Sequence, residues 1–132
     1  MNADEKADRA ILIAEDEAML RIVAVEALKD EGFTVFEAGD GVSALEELRS
    51  HPEIELLISD IKMPRLGGYG LARDALDMRP DLKVLFMTGY STESPPDFVR
   101  ERAIKTLQKP FNVVQLSHAA KTMLGVAPEA GL

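Results

Sequence analysis

The stretch "LLISDIKMP" (Leu56–Pro64) starts as a run that belongs in a hydrophobic core and ends with an aspartate, a lysine and a proline. With Ile54 and Glu55 ahead of it, the apolar half reads as a buried strand rich in branched residues. An unpaired carboxylate is expensive to bury. Asp60 is therefore either a paired structural group or stands where the core opens to solvent.

Working outward, the same kind of run recurs as "AILIAE" (Ala10–Glu15), "FTVFEA" (Phe33–Ala38), "KVLFMT" (Lys83–Thr88) and the less apolar "IKTLQK" (Ile104–Lys109). Amphipathic stretches separate these runs. After the first, Leu20, Val23, Ala24, Ala27 and Leu28 fall at helical spacing and Gly32 supplies a stop. Asp40 can cap a helix whose inner face is Ala44, Leu45 and Leu48. Gly70–Arg79 reads as a helix with Leu71, Ala75 and Leu76 inward, closed by Pro80. The Pro95-Pro96 pair permits only a short helix, over Asp97–Arg102, and Asn112 can cap a last helix that runs through Leu124 to Gly125.

Five strands alternating with five helices predict an α/β fold with a parallel sheet covered on both faces. Right-handed crossovers leave a few doubly wound (βα)5 arrangements, the order 2-1-3-4-5 among them. The expected layout is a flexible tail over residues 1–8, one domain over 9–124 and a loose tail over 125–132.

The totals narrow the chemistry. A chain of 132 residues, 46% of them hydrophobic, suits one domain with a real core. The absence of cysteine removes disulfides, thiolate metal sites and thiol nucleophiles. A formal charge of −8 argues against binding the phosphate backbone of nucleic acid. No apolar run approaches the ~20 residues that a membrane helix needs, and the start "MNADEKADR" is polar and acidic, so no membrane contact and a cytoplasmic location are expected.

Ligands of doubly wound sheets bind beyond the carboxyl ends of the strands. Those ends carry Glu15-Asp16, Asp60, Thr88 and Lys109. In the order 2-1-3-4-5, strands one and three are neighbours, so three carboxylates would converge on one rim and repel. A hard divalent cation resolves that repulsion, and Mg²⁺, which takes few protein carboxylates, suits it. With Lys109 and Thr88 added, the arrangement can neutralise phosphoryl oxygens.

At this point the chain resembles the receiver domains of two-component response regulators, from about Arg9 to Leu124. The matching pieces are "ILIAEDE", "SDIKMP", "FMTG" and "QKPF", in order and at receiver-like separations. The resemblance implies a flavodoxin-like three-layer sandwich with the 2-1-3-4-5 sheet. It implies Asp60 as phosphoacceptor, Glu15 and Asp16 as Mg²⁺ holders with Asp16 the direct ligand, and the Lys62 backbone carbonyl as a further ligand. Thr88 and Lys109 would each contact a phosphoryl oxygen, and Lys109-Pro110 is a candidate cis peptide.

The implied partners are a sensor histidine kinase or a histidine phosphotransfer protein, and a downstream protein target. A homodimer is compatible. The implied activity is that of a stand-alone receiver, a switch that catalyses its own phosphorylation and slow dephosphorylation and signals through protein contacts, not a metabolic enzyme. A receiver of a hybrid kinase, a phosphorelay intermediate and an unphosphorylated adaptor module are the alternatives. An aspartyl phosphatase of the dehalogenase type would want a second acid two residues after the nucleophile, where Lys62 stands.

The chain departs from the family at several positions. Receivers commonly carry Tyr or Phe three residues before the lysine, where this chain has Thr106. Tyr90, two after Thr88, is the aromatic left in that loop, so switching is expected to rest on ordering of Gly89–Pro96 around it. Lys62 and Tyr90 would flank the path of attacking water and tune the phosphoryl lifetime. In "RLGG" (Arg65–Gly68), Gly67 is expected to take the tight turn. His51 and His118 are expected at the surface or on a helix face, not in phosphotransfer or metal binding.

Overall fold

The computed structural model describes residues 9–89 and 94–126. Along the chain the elements are β1 (Ala10–Ala14), α1 (Ala18–Asp30), β2 (Thr34–Ala38), α2 (Gly41–Ser50), β3 (Ile54–Asp60), α3 (Gly68–Met78), β4 (Lys83–Thr88), α4 (Asp97–Glu101), β5 (Lys105–Gln108) and α5 (Val113–Leu124). The strands form one parallel sheet in the order β2-β1-β3-β4-β5, as expected for a three-layer α/β sandwich of flavodoxin type.

Alternation along the three central strands builds two cores. Leu12 and Ala14, Leu57, and Val84 and Phe86 face α2, α3 and α4, where they meet Ala44, Leu48, Leu71, Ala75 and Val99. Ile11 and Ile13, Leu56 and Ile58, and Leu85 and Met87 face α1 and α5, against Ala24, Val25, Leu28, Leu116 and Ala120. Strands buried on both sides need apolar residues at every position, which is why these runs do not alternate with polar ones.

The helix ends follow local chemistry. Asp40 accepts the Ser43 N–H at 2.8 Å and caps α2. Asn112 and Gln115 form a reciprocal capping box on α5, each side-chain oxygen accepting the other's N–H at 2.8 Å. Gly125, at φ 69°, ends α5 in the left-handed region. Arg79 closes the corner between α2 and β3. Its guanidinium donates to the carbonyls of Leu48, His51 (2.8 Å) and Ile54 (2.7 Å), joining the last turn of α2 to the start of β3.

Four expectations are corrected. In α1 the buried residues are Ala24, Val25 and Leu28, while Val23 is 48% exposed beside Met19 and Ile22. The segment is apolar around most of its circumference, so periodicity alone offers two inner faces, and packing on the sheet and α5 selects one. Helix α3 starts at Gly68 rather than Gly70. Gly67 has an ordinary extended backbone, and the left-handed residue of that turn is Arg65, at φ 68°. Val126, expected in a loose tail over 125–132, is instead buried, and its N–H donates to the Lys121 carbonyl at 2.9 Å; residues 127–132 lie outside the described residues. The proposed tail over 1–8 lies outside the described residues. His118 is exposed, whereas His51 is half-buried and stacks on Phe36 at 4.0 Å between centroids.

Candidate functional site

The β1–β3 register pairs Ala14 with Ser59, so the next residues, Glu15 and Asp60, sit side by side at the carboxyl rim. Both continue the alternation that faces α1 and α5. Glu15 is fully buried and Asp60 is 8% exposed, whereas Asp16 is open to solvent. Oxygens from Glu15, Asp16 and Asp60 lie within 4.8 Å of one another.

Lys109, on the connection from β5 to α5, reaches across β4 to these acids. Its Nζ lies 2.9 Å from Glu15 Oε1 and 3.1 Å from Asp60 Oδ2. Its own N–H donates to the Thr88 carbonyl at 2.7 Å, which ties the lysine to the end of β4. The Lys109-Pro110 peptide is cis. Thr88 is half-buried at that strand end, in register with Gln108.

The electrostatics follow from burial and pairing. Burial pushes the Glu15 carboxyl above the usual range. The Glu17 N–H (3.0 Å) and Lys109 oppose that rise, and the Asp60 charge adds to it. For Lys109, burial works toward a lower value, but its bonds to Glu15 and Asp60 prevail and its pKa is raised. The two directions are compatible, because Glu15 is the more deeply buried partner and bears more of the desolvation cost. Both Glu15 oxygens are engaged, one by Lys109 and the other by Glu17, and Asp16 is the exposed acid.

The donor set suits a hard divalent cation: three carboxylates, one of them solvent-facing, beside the chain turn that follows β3. That turn follows Asp60. Ile61 N–H donates to the Met87 carbonyl at 3.2 Å, and Gly68 N–H closes the turn onto the Ile61 carbonyl at 2.8 Å. The Lys62 side chain is exposed within it. Thr106 is also exposed, beside Phe86 in the register. Tyr90 lies outside the described residues, as do residues 91–93.

Two contributors are absent from the sequence reading. Arg21, on α1, donates to the Glu15 carbonyl at 2.7 Å and to Glu37 at 3.2 Å, fixing the peptide that presents the buried acid. No local motif announces it. The second is Gly68, where a Cβ would collide with the Asp60 carbonyl and lie 2.9 Å from Ile61 Cα. Paired glycines in "RLGG" were a signal for this close approach, though it falls on the second of them. Gly68→Ala is expected to destabilise the fold by about 1–3 kcal/mol, because the obstacle is the backbone of the central strand and cannot swing aside. Urea denaturation tests this, and a midpoint equal to the wild type would show that the turn yields freely.

The response regulator receiver domain matches this chain over residues 11–121. The chain is 39% identical over 117 residues to the response regulator receiver protein CpdR of Brucella abortus (strain 2308), which covers 88% of this chain and 97% of CpdR. It is 34% identical over 123 residues to the sensor kinase CckA of the same organism, 92% of this chain but 13% of the kinase. Among solved structures it superposes on a receiver domain from a hybrid histidine kinase CckA with a TM-score of 0.75. That match has 34% identity and covers 87% of this chain and 98% of the other. Among the described residues, no helix is long and apolar enough to cross a membrane.

Proposed function

The chain belongs to the response regulator receiver family of two-component signalling, and from that premise we propose that Asp60 accepts a phosphoryl group from a phosphohistidine. The observation that carries this reading is the Lys109 ammonium shared between Glu15 and Asp60, beside three carboxylates within 4.8 Å.

An Asp60 oxygen attacks the phosphorus; the new P–O bond forms as the P–N bond to the donor imidazole breaks. Lys109 releases its hold on Asp60 and follows the charge onto a phosphoryl oxygen, still anchored by Glu15. The Thr88 hydroxyl donates to another phosphoryl oxygen. Asp16 and Asp60 would hold Mg²⁺ together with the Lys62 carbonyl, with Glu15 acting through water. When bound, the cation neutralises charge on the attacking carboxylate and the phosphoryl oxygens. Water later attacks the acyl phosphate slowly, so the protein acts as a switch and not as a turnover catalyst. Its donor is a histidine kinase or phosphotransfer protein, and its output is contact with a protein target.

A receiver that signals as a response regulator of the CpdR kind is the first reading, favoured by 39% identity over 97% of CpdR. A receiver serving a kinase of the CckA kind is the second reading, favoured by 34% identity over 92% of the chain. Phosphotransfer profiling against purified kinases and phosphotransfer proteins separates the two.

The proposal is tested with labelled acetyl phosphate. Label is expected in Mg²⁺ and none after chelation; label that survives chelation would refute the metal's part. Mg²⁺ at ten times its Kd is expected to raise stability by about 1.4 kcal/mol, a Tm rise of roughly 3–6 °C. Thermal melts with and without Mg²⁺ measure it, and identical Tm values at millimolar Mg²⁺ would count against a preformed site.

A further inference from the structure

Arg65 lies in the connection from Asp60 to α3 with φ 68°. Residues other than glycine rarely adopt that backbone, and keep it only where their surroundings hold them there. Its guanidinium donates to Asp40 Oδ1 at 3.0 Å and to Ser43 Oγ at 3.3 Å, on the first turn of α2. The same Asp40 carboxylate caps that helix through the Ser43 N–H. These contacts, the Ser43 N–H first and Arg65 after it, hold the Asp40 carboxyl below its usual range, so it stays ionised at neutral pH.

A second contact sits beside the first. A Cβ on Gly41 would collide with the Leu66 carbonyl and lie 2.6 Å from Leu66 Cβ, so the loop is seated directly on the helix start. Residues 61–67 are thus tied to α2 by one ion pair and one backbone contact. They are tied to the start of α3 by the Gly68–Ile61 bond and to β4 by the Ile61 N–H on the Met87 carbonyl.

We propose that Arg65 is a positioning residue: by bridging to Asp40 it holds the 61–67 connection against α2, and so sets the Lys62 carbonyl and Asp60 in the geometry that takes Mg²⁺. This inference rests on the phosphoacceptor reading above. The Arg65 side chain is 56% exposed and that of Asp40 21%, so the effect of the bridge is modest, about two- to fivefold in affinity.

Two substitutions separate positioning from plain stability. Arg65→Gly relieves the left-handed backbone while deleting the bridge. Asp40→Asn retains a good helix cap while removing the charge that Arg65 pairs with. Both variants are expected to melt within a few degrees of the wild type, with Arg65→Gly equal or higher. Both should nonetheless bind Mg²⁺ about two- to fivefold more weakly by calorimetry. Acetyl phosphate labelling should slow at subsaturating Mg²⁺ and recover at saturation. The double variant should be no weaker than the worse single one, because the two residues act as one bridge. Wild-type Mg²⁺ affinity in both single variants, or losses that add in the double variant, would overturn the proposal.

A measurement on metal-free protein needs no phosphoryl chemistry. In Asp40→Asn, amide exchange at Leu66 and Gly68 should be faster than in the wild type, and unchanged exchange also overturns the bridge. A wild-type protein that neither binds Mg²⁺ nor takes label would instead refute the phosphoacceptor reading. In that case the exchange rates alone decide whether the bridge holds the loop.

Discussion

Asp60→Asn is expected to abolish acyl phosphate formation from acetyl phosphate, with no adduct in intact-mass spectra where the wild type gives one. The amide has nearly the shape of the carboxylate and its oxygen can still accept from Lys109, but it is not a nucleophile. The other two acids are poor substitutes: both Glu15 oxygens are already engaged, and Asp16 is exposed, without the Lys109 contact that Asp60 has. The fold should persist. Glu15 keeps Lys109, and one source of repulsion beside it is gone, so stability should change by no more than about 1 kcal/mol. Label retained by the variant would assign the phosphoryl group to another residue and end the Asp60 reading.

Lys109→Met is expected to have the largest effect on stability, about 3 kcal/mol at neutral pH. It leaves the buried Glu15 carboxylate facing Asp60 without a cation. The pH dependence carries a definite sign. Burial already raises the Glu15 pKa in the folded state, and loss of the ammonium raises it further. A carboxyl with a raised folded-state pKa favours the folded state while protonated and loses that contribution as pH rises through the raised value. The gap between variant and wild type should therefore be small in mild acid and widen toward neutral pH. Chemical denaturation at a series of pH values measures it. A gap independent of pH would mean that the lysine acts by packing alone. Mg²⁺ should narrow the gap at neutral pH, because it supplies charge to the same acids.

Most of the fold is legible in the residues because it depends on short-range preference. Branched apolar runs made the strands, Asp40 and Asn112 capped α2 and α5, and Gly125 ended the last helix. Alternation of strand and helix with right-handed crossovers left few sheet orders, and the observed one is among them. The inner face of α1 was not legible, since Val23 and Val25 are equally apolar and only the sheet distinguishes them. The turn after Asp60 misled for a related reason. Two glycines suggested that Gly67 would take the special backbone, yet the distortion falls on Arg65, and the glycine that matters is the one pressed against Asp60.

The sequence by itself determined which chemical groups stand at the strand ends: Glu15 and Asp16, Asp60, Thr88 and Lys109. It could do so because a strand's end is marked by where its apolar run stops. The tertiary structure decided which of these groups touch. It placed Lys109 between Glu15 and Asp60, engaged both Glu15 oxygens while leaving Asp16 exposed, and set Arg21 on the Glu15 peptide and Arg65 on Asp40. Those pairings join residues 94, 49, 6 and 25 positions apart, respectively Glu15–Lys109, Asp60–Lys109, Glu15–Arg21 and Asp40–Arg65. Side-chain reach and desolvation between elements set them, and neither quantity is a property of any single stretch of sequence.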